Sequence, residues 1–109
     1  MPVSGASKKI ESAMQSCSGI TADPHRYGGT EYRLGRREIG HVHTDHLVDI
    51  PFPKKVRDEL VATGRAEPHH ILPKSGWVSI HLNQASDVDR AIDLLLYSFA
   101  MQNKSSSTR

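Results

Sequence analysis

Four turn-forming pairs, Asp23-Pro24, Gly28-Gly29, Gly35-Arg36 and Thr44-Asp45, cut residues 20–52 into segments too short for helices. Within those segments apolar and polar residues alternate, which is the period of strands with one face buried and one exposed. The stretch is therefore predicted to be an antiparallel meander of three or four strands, and the rest of the chain must cover one face of it.

The flanking patterns supply that cover. Ile10, Met14 and Cys17 recur at helical spacing and Gly19 stops them, which predicts a short amphipathic first helix. Pro53 can take the first helical position, Val56, Leu60 and Val61 form an apolar face, and Gly64 suits a left-handed C-cap, so a second helix is expected over roughly 53–63. Residues 65–75 carry two prolines and read as a loop, WVSIHLN at 77–83 alternates strictly as a strand, and Val88, Ala91, Ile92, Leu95, Leu96 and Phe99 mark a final helix. Ser86 and Asp89 resemble a capping box at its start. The fold class is α+β, in the order α-β-β-β-β-α-β-α, with a sheet of about four to five strands and helices packed on one face.

At 109 residues this is one domain with one core, expected over 7–101, with disordered ends at 1–6 and in the Ser-rich stretch 102–109. Basic residues exceed acidic ones by two and are interspersed with them, so nucleic acid is not an expected partner. The single cysteine rules out an internal disulfide or a cysteine-based metal cluster and suits a reducing, cytoplasmic setting. The longest apolar run, Ile92–Phe99, is too short for a membrane span and contains Asp93, and residues 1–12 lack the apolar region of a signal peptide. Cys17 lies on the apolar stripe and reads as core, and Lys54, Lys55 and Arg57 read as a solvated helix face.

Three of the seven histidines lie in GHVHTDH, residues 40–46. The hairpin register decides what they do, because a slip of one residue moves every side chain to the other face. A two-residue loop would bury His41 and His43. A three-residue loop, Thr44-Asp45-His46, sets His43 opposite Leu47 and His41 opposite Asp49, and gathers Val42, Val48, Ile50 and Phe52 on one apolar face. We favour the latter, with His46 closing the turn in the left-handed region. One strand earlier, a loop at 35–37 would place Glu31 beside His41, whereas a two-residue turn at Gly35-Arg36 would reverse Glu31's face; both registers fit. Strand alternation sends Val78, Ile80 and Leu82 to the core and leaves Trp77, Ser79 and His81 facing the histidines.

His41 oriented by Asp49 is a candidate catalytic pair, with the imidazole as general base. Left exposed, the same pair would be a cross-strand contact worth about 0.2–1 kcal/mol. His43, Trp77, His81, His69, His70 and Glu31 are candidate ligand-binding residues, with His69-His70 as a loop that could fold over the face. Trp77 could form an aromatic wall or simply cover the sheet edge. His25, after Asp23-Pro24, reads as a turn residue. An H-x-H pair with a third histidine and a carboxylate is adequate for zinc or non-haem iron, but no H-E-x-x-H motif accompanies it, and no cofactor or metal is expected.

In order, GHVH, PFP, GRAEPHH and GWVS, within EYRLGRREIGHVH, DIPFPKKVRDELVATGRAEPHHILPKSGWVSI and the helix ending LLLYSF, resemble the luciferase-domain family over residues 20–100. These are small, mostly uncharacterised bacterial proteins similar to a domain of fungal luciferases. The unit from GWVSIHLN onward also resembles the YjbR-like α+β proteins, in fold only. The luciferase-domain resemblance implies Gly where this chain has His46. It also implies binding of a small, aromatic ligand, with cofactor-free, monooxygenase-like oxidation as the reaction. The alternative is a protein-interaction or homodimerisation module on the same sheet face.

Overall fold

A computed structural model of the chain describes residues 3–24 and 28–107, the side chains of 104–107 excepted; His25 therefore lies outside the described residues. The elements are α1 (Ala6–Met14), β1 (Ile20–Pro24), β2 (Thr30–Leu34), β3 (Arg37–His43), β4 (Leu47–Pro51), α2 (Lys54–Ala62), β5 (Glu67–Pro68), β6 (Trp77–His81) and α3 (Ala85–Ser107). The strands form one six-stranded antiparallel sheet in the order β1-β2-β3-β4-β6-β5. The class is α+β, as expected. The additional strand is β5, two residues inside the expected loop, with Glu67 opposite Ser79 and Pro68 opposite Val78. A proline is tolerated there because β5 is the sheet edge.

The core lies between the sheet and its helices. Tyr32, Val42, Val48, Ile50, Val78, Ile80 and Leu82 are buried from the sheet side. Val88, Ala91, Leu94 and Leu95 of α3 and Ile10 and Met14 of α1 meet them. α3 lies against β2, β3, β4 and β6, α1 packs on α3, and α2 docks at the β5–β6 end, contributing Leu60. Among the described residues no helix is long and apolar enough to cross a membrane.

Several local expectations change. Ala6 begins α1 and is buried, and Val3 donates its N–H to Asp45 O at 3.1 Å, so the chain from Val3 on is held against the β3–β4 turn. Cys17 lies beyond α1 but is still buried, and burial pushes its thiol pKa up, as suits a core residue. Pro53 is the N-cap of α2 rather than its first helical residue, while Gly64 has the expected left-handed φ of 75°. α3 starts one residue before Ser86, so the expected capping pair is displaced. Asp87 instead accepts the N–H groups of Asn83 and Gln84 at 2.9 and 3.0 Å, and Asp89 pairs with Lys9. The helix also continues into the serine-rich stretch, to Ser107.

Both hairpins bear on the site. The β3–β4 loop has three residues, with His43 opposite Leu47 and His41 opposite Asp49, as expected. Its left-handed residue, however, is Thr44 at φ 49°, not His46. Ser7 Oγ donates to Thr44 O, Ser7 N–H donates to Asp45 Oδ1 at 2.8 Å, and Thr44 Oγ1 bonds His46 Nδ1 at 2.7 Å. These contacts hold Thr44 in a conformation that a β-branched residue does not choose alone.

The β2–β3 turn combines the two registers left open by the sequence. Leu34 pairs with Arg37 across a two-residue turn, with Gly35 at φ 64°, which suits the first central position of a type II′ turn. Between Tyr32 and Arg33 the register then shifts: Arg33 faces Glu38 but Tyr32 faces Gly40, leaving Ile39 as the extra residue of a bulge. The shift returns Glu31 to a position opposite His41.

At Gly40, beside His41, Leu95 of α3 lies close against the sheet backbone. A Cβ there would stand 2.6 Å from Leu95 Cδ2 and 3.0 Å from Asp49 O. Gly40→Ala is expected to cost about 1–3 kcal/mol through overpacking, measured as a lower urea midpoint with an unchanged slope.

Candidate functional site

Cross-strand pairing sets His41, Asp49 and Ser79 side by side on β3, β4 and β6, on the sheet face away from the core. Asp49 is nevertheless fully buried, at 0% exposure, because the segment after β5 brings His69 and His70 over it. A buried carboxylate is costly unless every oxygen is satisfied, and here both are. Ser79 Oγ donates to Oδ1 at 2.6 Å, while His43 Nε2 and His41 Nε2 reach Oδ2 at 3.0 and 3.2 Å. His69 Nε2 stands 3.5 Å from the same Oδ2, and His70 Nδ1 is 3.8 Å from Oδ1.

The partners fix several protonation states. His41 Nδ1 lies 2.6 Å from Glu38 Oε2, so each of its ring nitrogens faces a carboxylate. Burial opposes a charge on His41, but the hydrogen bonds to Asp49 and Glu38 outweigh it and raise the pKa to about 9. Burial likewise favours neutral Asp49, yet the bonds from His41 and Ser79 and the charge of His41 hold its pKa at about 2. His69 differs. Its Nδ1 accepts the N–H groups of Ile71 and Leu72 at 3.1 and 3.0 Å, which leaves the proton on Nε2, aimed at Asp49. Burial lowers its pKa, consistent with the neutral ring.

Above Asp49 opens a cavity of about 270 Å³. Its floor is His41, His43 and Asp49, and its walls are His69, His70, Ile71, Leu72 and Trp77. Trp77 packs on His41 with ring centroids 5.2 Å apart and stands edge-on to His69 at 6.0 Å. His69 and His70 stack at 4.4 Å. Ile71 and Leu72 are 71% and 50% exposed, so the rim presents apolar surface to solvent. The site thus has a charged floor, one aromatic wall and an aliphatic lip, a combination that orients a small molecule with one polar edge.

His41, His43, Asp49, His69, His70 and Trp77, all expected from the sequence, come together here. His81 does not line this cavity: it sits at the far end of β6, 45% exposed, with Nε2 3.0 Å from Glu67 Oε2. Glu31 is opposite His41 in the ladder but its carboxylate pairs with Arg33 Nε, and the acid on His41 Nδ1 is Glu38. Residues three apart on a regular strand point to opposite faces. The bulge at Ile39 is what brings Glu38 and His41 to the same side. The base role expected of His41 fits poorly with two carboxylates on its nitrogens, and the ring is better described as the charged floor of the site. Ser79 was legible as facing the site by alternation, but nothing local marked it as the partner of Asp49. Ile71 and Leu72 carried no signal beyond lying beside the two histidines.

A family model for the luciferase domain matches residues 36–98, more than half of the chain. The chain belongs to the luciferase-domain family. The matched span contains Glu38 and every residue of the Asp49 cluster, so the whole site lies within the luciferase domain, whereas Glu31 falls outside it. The match carries no support for the YjbR-like resemblance. No curated protein and no solved structure matches the chain.

Proposed function

We propose that this luciferase-domain protein binds a small aromatic molecule bearing a hydroxyl or carbonyl oxygen, with the ring against Trp77 and the oxygen toward the histidines over Asp49. The observation that carries this reading is the cavity itself, about 270 Å³, lined by Trp77, Ile71 and Leu72 together with four imidazoles and Asp49. An apolar cavity of about 150 Å³ holds benzene, so one substituted ring, or two fused ones, suits this volume. Oxidation of the bound compound is the reaction attached to this reading, and its support is the family likeness alone.

The chain has a single tryptophan, so its fluorescence reports on the cavity directly. Titration with phenols, catechols and hydroxycinnamates in the presence of a chelator should quench it saturably. Trp77→Phe tests the wall by thermal shift, and His43→Ala should weaken binding at least tenfold. His81→Ala, away from the cavity, should leave affinity unchanged. Absence of saturable quenching across the panel would sink the reading.

The second reading, an interaction or homodimerisation module, draws on exposed Ile71 and Leu72 beside the same face. Sedimentation at rising concentration distinguishes it: a monomer throughout removes the homodimer, and a dimer disrupted by Ile71→Ser favours it.

A further inference from the structure

We propose that His41 Nε2, His43 Nε2 and Asp49 Oδ2 form a binding site for a divalent first-row transition-metal ion at the floor of the cavity. The three donor atoms lie within 4.8 Å of one another. The distances from Oδ2 to the two ring nitrogens are 3.0 and 3.2 Å. Donors each about 2.1 Å from an ion stand roughly 3.0 Å apart at a right angle and roughly 3.4 Å apart at the tetrahedral angle. These two spacings fall in that range and the two ring nitrogens lie within 4.8 Å of each other, so ring rotation has to bring both onto the ion.

The surroundings are those a metal site requires. A ligating histidine usually gives its other ring N–H to a carboxylate or carbonyl, which orients the ring and raises its basicity. His41 Nδ1 is placed for this at 2.6 Å from Glu38 and keeps its proton there, so an ion binds Nε2 by displacing the proton that ring otherwise shares with Asp49. The non-ligating oxygen of Asp49 is fixed by Ser79 at 2.6 Å. A divalent ion there would face the Asp49 carboxylate, with Glu38 on the other ring nitrogen of His41 adding a second negative charge behind it. The other grouping around Asp49, with His69 and His70, is a poorer ligand set. Two backbone N–H groups occupy His69 Nδ1 and leave Nε2 protonated, which makes His69 a donor to Asp49. Two histidines and one carboxylate on one side leave the remaining coordination positions open to the cavity, the arrangement that lets a metal hold a second ligand. There it would meet the oxygen of an aromatic compound lying on Trp77.

The metal is measured alone, without any organic ligand, whereas the fluorescence titration above is done with chelator, so either reading can fail without the other. Purified chain stripped with chelator is titrated with Zn²⁺ by calorimetry and with Co²⁺ by visible absorption, and circular dichroism checks that each variant is folded. The expected result is one ion per chain and weak visible bands from Co²⁺ in a mixed nitrogen and oxygen field. His43→Ala should lower affinity at least 100-fold, and Glu38→Gln about 10- to 100-fold, with His81→Ala unchanged. Because Asp49 is buried, the less buried His43 carries the test should an Asp49 variant fail to fold. Stoichiometry below about one tenth in folded wild type, equal binding by His43→Ala, or loss of binding in His81→Ala would overturn the proposal.

Discussion

Asp49→Ala is expected to destabilise the fold by about 3–5 kcal/mol, the range for removing one partner from a buried charged network. Asp49 is fully buried, and it accepts from Ser79, His41 and His43 while His69 points at the same oxygen. Truncation leaves these donors facing an empty volume under the loop, while His41 keeps its bond to Glu38. Ser79→Ala, which removes one donor and leaves the carboxylate its imidazole partners, should cost about 1 kcal/mol. Guanidinium unfolding monitored by circular dichroism gives both values. The site should fail along with the stability, so Trp77 fluorescence in folded Asp49→Ala should no longer respond to ligand. A cost for Asp49→Ala below about 1 kcal/mol would mean that the histidines gather for reasons other than the carboxylate.

Leu95→Ala should cost about 3–5 kcal/mol, the range for a large-to-small change in a core that cannot collapse. Leu95 is fully buried on α3, and its Cδ2 lies over Gly40, the residue before His41. The two positions share one space. A methyl added at residue 40 would occupy part of what Leu95 leaves, so Gly40→Ala with Leu95→Ala should cost less than the two single changes together, by more than about 0.5 kcal/mol. Strict additivity in chemical unfolding would show that the helix and the sheet do not touch there. Because this contact backs the His41–His43 segment, ligand affinity in Leu95→Ala should fall even though Leu95 does not line the cavity.

The alternation of Val42, Val48, Ile50 and Phe52 was enough to choose a three-residue loop at 44–46. With that loop came the pairing of His41 with Asp49 and the placement of both histidines off the core face. Trp77 followed in the same way from WVSIHLN, and His69 and His70 were suspected of folding over the sheet. These are readings of local pattern, since burying one face of a sheet imposes period two on the residues that make it.

Two expectations needed more than local pattern. Alternation placed His81 on the right face but cannot say how far along the strand the cavity reaches, and Glu67 on the edge strand holds it outside. For Thr44, contacts with Ser7, distant in sequence, decided which loop residue took the left-handed conformation.

The amino-acid sequence by itself determined the α+β class, the faces of the strands and the gathering of His41, His43, Asp49 and Trp77, because each follows from hydrophobic period and loop length. Tertiary structure alone decided that Glu38 rather than Glu31 backs His41, since one extra residue at Ile39 inverts the strand's alternation and leaves no mark in the pattern. It also decided that Asp49 is fully buried. A loop with two prolines can lie anywhere until Leu72 and Ile71 donate to His69 and bring that ring over the carboxylate.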